Sequence, residues 1–153
     1  YRLASIEEAD FAEGAFDVVI SSLALHYVAD YEGMVRRVSR WLRPGGDFVF
    51  SAEHPVFTAQ GPQQWHRGAD GRIAHFPVDR YFEEGARRAV FLGQEMTKHH
   101  RTLETYARAL LENGFALTGL AEPRPSEAML RDDPGMADEL RRPMMLILSA
   151  KKL

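Results

Sequence analysis

Residues 16 to 51 constrain the fold of this chain more than any other stretch, because they read in series as strand, helix, turn and second strand. Phe16-Asp17-Val18-Val19-Ile20-Ser21 is a β-branched apolar run of the length of a strand buried on both faces. Asp30 stands where it can cap a helix whose Tyr31, Met34, Val35, Val38, Trp41 and Leu42 follow the three-and-four spacing of one buried stripe. Arg36, Arg37 and Arg40 fall on the opposite, solvated face, and Pro44-Gly45-Gly46 stops the helix. Phe48-Val49-Phe50-Ser51-Ala52-Glu53 then repeats the change from apolar to polar. Two such strands joined by a helix form a right-handed parallel crossover, and ligands of open parallel sheets bind beyond the carboxyl ends of the strands.

The second half continues with a long detour and a return to regular elements. Residues 55–100 carry turn signals at Gly61-Pro62, Gly68, Asp70-Gly71 and Gly85, with short apolar pieces at 73–78 and 89–92 that read as a hairpin or lid. Strand-to-helix connections normally need only a few residues, so a segment this long at the ligand end of a sheet reads as a substrate cap inserted in a single domain spanning 1–153. Thr102 is placed to cap a helix carrying Leu103, Tyr106, Ala107, Leu110 and Leu111 on one face and ending at Asn113-Gly114. Residues 115–120 read as a strand, a Ser126-capped helix follows, Asp133-Pro134 starts another with Met136 and Leu140 inward, and 144–150 is the closing strand.

Composition narrows the function class. Of 153 residues 45% are hydrophobic and 27% charged, and the net charge of −3 offers no basic face for phosphate backbones, so no nucleic-acid partner is expected. The absence of cysteine removes disulfide, thiol and thiolate chemistry and suits a reducing cytoplasm. No apolar run is long enough to span a bilayer, so no membrane partner is expected either. The six histidines show no spacing that puts two on one helical face with a carboxylate, so no metal site is expected, while an oligomer stays open.

The string FDVVISSLALHYV, followed by a helix and LRPGGDFVFS, resembles the central strands of class I S-adenosylmethionine-dependent methyltransferases. The opening Ala4-Ser5-Ile6-Glu7-Glu8-Ala9-Asp10-Phe11 resembles that family's acidic loop after the third strand, which holds the adenine, and Ser5 stands where many relatives have Asp. The resemblance implies an α/β fold, a Rossmann-like doubly wound sheet represented by its later strands. It also implies a strand order of six, seven, five, four with an antiparallel last strand, which leaves strand four as an apolar edge. The family's glycine-rich turn and the acidic end of its second strand are not in this sequence, so the chain is expected to start mid-domain, with Tyr1-Arg2-Leu3 as the tail of a third strand. The implied cofactor is S-adenosylmethionine, held by Ser5, Ile6, Glu7, Ser21, Ser22 and Leu23. The implied reaction is methyl transfer to a small-molecule acceptor by in-line displacement.

Ser22 has a second reading, as the cap of a short helix over 23–28. His26, among Leu25, Tyr27 and Val28, reads as a packed histidine and is left out of catalysis. His54 follows Glu53 at a strand end and is held extended by Pro55, so its imidazole is a candidate general base, with Glu53 either orienting it or solvated. His99 and His100 point to opposite sides of an extended segment, and His100 is taken as the second candidate base. Phe57, Trp65, Phe76, Tyr81, Phe82 and Phe91 supply apolar surface to the cap, with Tyr81 the first substrate contact and Tyr106 the second. Two other readings are carried along: a non-catalytic binding or scaffold module on the same sheet, and, below it, a nicotinamide dehydrogenase.

Overall fold

The computed structural model describes residues 3–153. The third-strand tail expected at 1–3 lies outside the described residues except for Leu3, which is exposed and in no strand. Strand β1 (Phe16–Ser22) leads through a single 3₁₀ turn (Leu25–Tyr27) to helix α1 (Tyr31–Trp41) and strand β2 (Leu42–Glu53). Helix α2 (Pro55–Ala59) and two hairpins follow, β3 (His66–Arg67) with β4 (Ile73–His75) and β5 (Gly85–Phe91) with β6 (Gln94–His100). Helix α3 (Leu103–Glu112), β7 (Phe115–Ala121), α4 (Glu127–Asp132), a 3₁₀ helix (Pro134–Arg141) and β8 (Met145–Lys152) complete the chain.

The main sheet has the order β1-β2-β8-β7, with β1 and β2 parallel and β8 antiparallel to both its neighbours. Numbered as in the resembling family this is four, five, seven, six, the expected order. The Asp30 carboxylate accepts from the Gly33 N–H at 2.8 Å, so the expected cap is in place. The α1 stripe buries Tyr31, Met34, Val35, Val38 and Trp41 against Phe48 and Phe50 of β2, Leu146 and Leu148 of β8, and Tyr106 and Leu110 of α3. Beyond this layer β1 is bare: Val18 and Ile20 are 48% and 74% exposed, so the strand read as buried on both faces is covered on one.

Four local readings are corrected. Strand β2 begins at Leu42 and runs through Pro44-Gly45-Gly46, with a register shift between Phe16 and Val18 that absorbs the extra residues and Gly45 at φ +76°. The expected 23–28 helix is only the 3₁₀ turn, which starts after Ala24 without a side-chain cap, so Ser22 does not cap it. On α3 the buried face is Tyr106, Ala109 and Leu110, and Leu111 is exposed. Leu140 is exposed as well: its helix is 3₁₀, and at three residues per turn a spacing of four rotates a side chain about a third of a turn off the face.

Candidate functional site

The carboxyl ends of β1 and β2 lie side by side, with Ser22 opposite Ser51. The chain leaves β1 through Leu23 at φ +50°, a region a leucine rarely enters. Its N–H donates to the Ser51 carbonyl at 3.0 Å and to Ser51 Oγ at 3.1 Å, and these bonds hold the strained turn. Ser21 Oγ is buried beside it without a hydrogen-bond partner among the described residues. This sealed hydroxyl lies next to exposed Ser22 and Leu23.

The loop after this turn is fixed from the other side by Arg101. Its guanidinium donates to the carbonyls of Leu25 at 3.4 Å, Ala29 at 2.9 Å and Val28, and lies 5.3 Å from the Tyr31 ring centre. It takes part in no salt bridge among the described residues, although it is buried.

Glu53 is the junction of the strand end and the 55–100 segment. Its Oε1 accepts from Lys98 Nζ at 2.5 Å and its Oε2 from Gln63 Nε2 at 2.6 Å, while Lys98 also donates to Gln63 Oε1 at 2.9 Å. Glu53 therefore does not orient His54. It fastens β6 to β2, and its N–H donates to His26 Nδ1 at 3.3 Å.

His54 caps α2: its Nδ1 accepts from the Val56 N–H at 3.0 Å, which leaves the proton on Nε2. Nε2 lies 3.0 Å from Glu122 Oε1, an ion-pair distance without the alignment of a hydrogen bond. Burial holds the imidazole below its ordinary range, partly offset by Glu122. His100 is fully buried, with Nδ1 2.8 Å from Thr58 Oγ1 and Nε2 2.8 Å from the Tyr81 carbonyl. A carbonyl only accepts, so Nε2 carries the proton and the Thr58 hydroxyl donates to Nδ1. Neither of the two expected bases keeps a free lone pair in this arrangement, and the reading of both as proton acceptors is corrected on that ground.

His99, on the other side of the strand, has its ring in no hydrogen bond among the described residues. With Ala29, Glu84 and Arg101 it lines a cavity of about 270 Å³. Burial first and Arg101 second lower its affinity for a proton, opposed by Glu7. The 4–11 loop itself is anchored to α1, where Arg40 pairs with Asp10 at 2.5 Å. Within the loop Ser5 Oγ donates to Glu7 Oε2 at 2.6 Å and accepts from the Glu7 N–H at 3.2 Å. The Ser5 bond is the first cause holding the Glu7 carboxyl below the usual carboxylate range. The Ile6 carbonyl accepts from Ala9 at 3.4 Å, and Arg37 donates to the Glu7 carbonyl at 2.5 Å.

Tyr81 is half-buried: its hydroxyl accepts from the Leu103 N–H at 3.2 Å, at the first turn of α3. Tyr106 is core, its ring 4.9 Å from Tyr31 and 6.0 Å from Phe50, and burial pushes its hydroxyl pKa up. The aromatic residues of the segment divide. Phe57, Phe76 and Trp65 surround the Arg142 guanidinium at 4.5, 4.9 and 5.0 Å, whereas Phe82 and Phe91 are exposed. Arg101, Lys98, Gln63 and Arg142 were missed from sequence. For Lys98 a signal existed, since it shares a strand face with His100 two residues on. Among the described residues no group of three metal-ligating side chains converges, and no helix is long and apolar enough to cross a membrane.

Comparison with known proteins supplies the context. The family described as methyltransferase domain matches residues 1–50. A crystal structure from Listeria monocytogenes, assigned to the S-adenosylmethionine-dependent methyltransferases, is 47% identical over all of this chain and 68% of its own, with a TM-score of 0.94. An S-adenosylmethionine-dependent methyltransferase from Mesorhizobium loti is 41% identical over 97% of this chain and 68% of its own, with a TM-score of 0.87. An uncharacterized protein of Haemophilus influenzae is 28% identical over the whole chain, which spans 60% of that relative's length.

Proposed function

This chain belongs to the S-adenosylmethionine-dependent methyltransferases, a class I Rossmann-like fold, and on that footing we propose that the complete protein methylates a small polar molecule. The observation that carries the proposal is the end of β1, where Ser21 leaves a buried hydroxyl unpartnered beside a strained, doubly anchored Leu23. Bound S-adenosylmethionine supplies an electrophilic methyl group on a sulfonium.

The chain's own residues bind, orient and exclude water. Ser21, Ser22 and Leu23 face the methionine part, and the Ile6 N–H is the donor the family uses for the adenine. Ser5 replaces the common Asp, and the ionised Glu7 held against its hydroxyl is the acceptor for the adenine amino group. Residues 55–100 form a cap clasped to the sheet by Glu53 with Lys98, and to α3 by Glu84, whose carboxylate accepts from the Thr102 N–H at 2.8 Å and hydroxyl at 2.9 Å. Tyr81 serves that clasp and Tyr106 the core beneath it. In-line displacement at an activated methyl needs alignment more than proton chemistry, and rigid walls of this kind supply it. His54 and His100 act here as positioning residues. The cysteine-free chain suits a reducing cytoplasm.

The test is calorimetry with S-adenosylhomocysteine on this chain and on the protein with its upstream residues. Micromolar binding by the longer protein supports the proposal. No binding by either favours the non-catalytic binding module.

A further inference from the structure

His26 was read as a packed side chain, and it is buried, at 2% exposure, but only one of its nitrogens is used. Nδ1 accepts the Glu53 N–H, and a backbone N–H cannot reverse its role, so the neutral ring carries its proton on Nε2. Nε2 has no hydrogen-bond partner among the described residues. It is also absent from the sealed, partnerless atoms, which are Ser21 Oγ, Trp41 Nε1, His54 Nε2 and Arg142 Nε. The small open part of the ring therefore includes the Nε2–H. It sits on the turn that leaves the carboxyl end of β1, with the Tyr27 ring 4.3 Å away.

Charge around the ring is unequal. Lys98 is balanced by Glu53 at 2.5 Å, but Arg101, which holds the Leu25 carbonyl next to His26, is paired with no carboxylate among the described residues. The turn is thus a neutral donor beside an uncompensated buried guanidinium, a setting that favours an anion.

Building on the methyltransferase reading, we propose that His26 is the acceptor-binding donor of the site: its Nε2–H holds an oxygen of the methyl acceptor, and that acceptor is an oxyanion, a carboxylate or an acidic phenol. His26 positions the acceptor and does not deprotonate it. A lone pair of the anionic oxygen forms the new O–C bond as the C–S bond breaks, and the broken bond's electron pair stays on sulfur. The negative charge of the oxygen and the positive charge of the sulfonium cancel, so no proton has to leave. Such an acceptor needs no base, which agrees with the commitment of His54 Nδ1 and His100 Nδ1 to structural bonds.

The experiment uses the complete protein saturated with S-adenosylhomocysteine, labelled with nitrogen-15 in histidine, with acetate as the oxyanion probe and methylammonium as the cationic control. The expected result is an Nε2–H tautomer for His26 whose proton moves downfield with acetate and not with methylammonium. His26→Asn keeps an acceptor near the Nδ1 position and removes the Nε2 donor. It is expected to weaken acetate binding about tenfold or more with S-adenosylhomocysteine affinity unchanged. An Nδ1–H tautomer, no response to acetate, or equal acetate binding by His26→Asn overturns the inference. Failure of S-adenosylhomocysteine to bind the wild type overturns the methyltransferase reading instead.

Discussion

Lys98 Nζ lies 2.5 Å from Glu53 Oε1 with both side chains buried, so a charge on the 55–100 segment is neutralised by a charge at the end of a sheet strand. Gln63 completes the arrangement by bonding both partners, leaving few of their polar atoms without company. A buried pair of this kind adds little net stability relative to apolar residues, but it is costly to break from one side. Its value here is positional, because it fixes β6 to β2 and through the Glu53 N–H sets the tautomer of His26.

Lys98→Met leaves the Glu53 carboxylate buried beside one amide. It is expected to destabilise the protein by about 3–5 kcal/mol, read from urea unfolding at neutral pH. The double change Lys98→Met with Glu53→Gln removes both charges and is expected to recover most of that loss. If the double variant is as unstable as the sum of the singles, the pair is not coupled.

Arg101→Lys tests how the turn after β1 is held. A guanidinium reaches the carbonyls of Leu25, Val28 and Ala29 at once, whereas an ammonium on a flexible stem cannot span three carbonyls in that geometry. The substitution keeps the charge, so an effect reports the lost bonds. S-adenosylhomocysteine affinity of the complete protein is expected to fall about tenfold, with stability down by about 1–3 kcal/mol. Wild-type affinity in the variant would mean that Leu23 is held by Ser51 alone.

The parts of this fold that sequence revealed are those set by local period. Phe16 to Trp41 carries its own apolar strand run, cap and buried stripe, whereas the sheet order was implied by the family resemblance. The site was less legible because its bonds join residues far apart in the chain. Lys98 meets Glu53 across 45 residues, His100 meets Thr58 across 42, and Leu23 is held in its strained turn by Ser51 across 28. No window of sequence contains such a pair. His100 therefore read as a base because its two partners were invisible, and His26 read as filler because the one open nitrogen was.

The Arg142 guanidinium lies within about 5 Å of three ring centres and 2.8 Å from Glu139 Oε2, so the segment's aromatic cluster is built on a cation from the approach to β8. Arg142→Met preserves much of the volume and removes the attraction. A loss of about 1–3 kcal/mol is expected, with faster proteolysis confined to residues 60–80 and a changed Trp65 emission. Unchanged emission and proteolysis would show that Trp65 and Phe76 hold together on apolar packing alone.

The histidines give the protein an acid limit. Burial first, with Lys98 and Arg101 adding to it against Glu53, lowers the His26 pKa to about 4 from an unfolded value near 6.5. A folded-state value below the unfolded one means that the unfolded chain binds the proton more readily. The stabilisation from neutral His26 is therefore complete above about pH 6.5 and disappears as the pH falls from there to about 4. Its full size is about 3 kcal/mol. Burial also lowers His54, His99 and His100, and these add to the slope in the same direction. His26→Asn removes one titrating group and keeps the others, so its stability is expected to fall less steeply than the wild type's between pH 6.5 and 4.5. Urea unfolding at these two pH values measures the difference. Equal slopes would place the His26 pKa in the folded protein near its ordinary value, and the ring would then be solvated and free to exchange its proton.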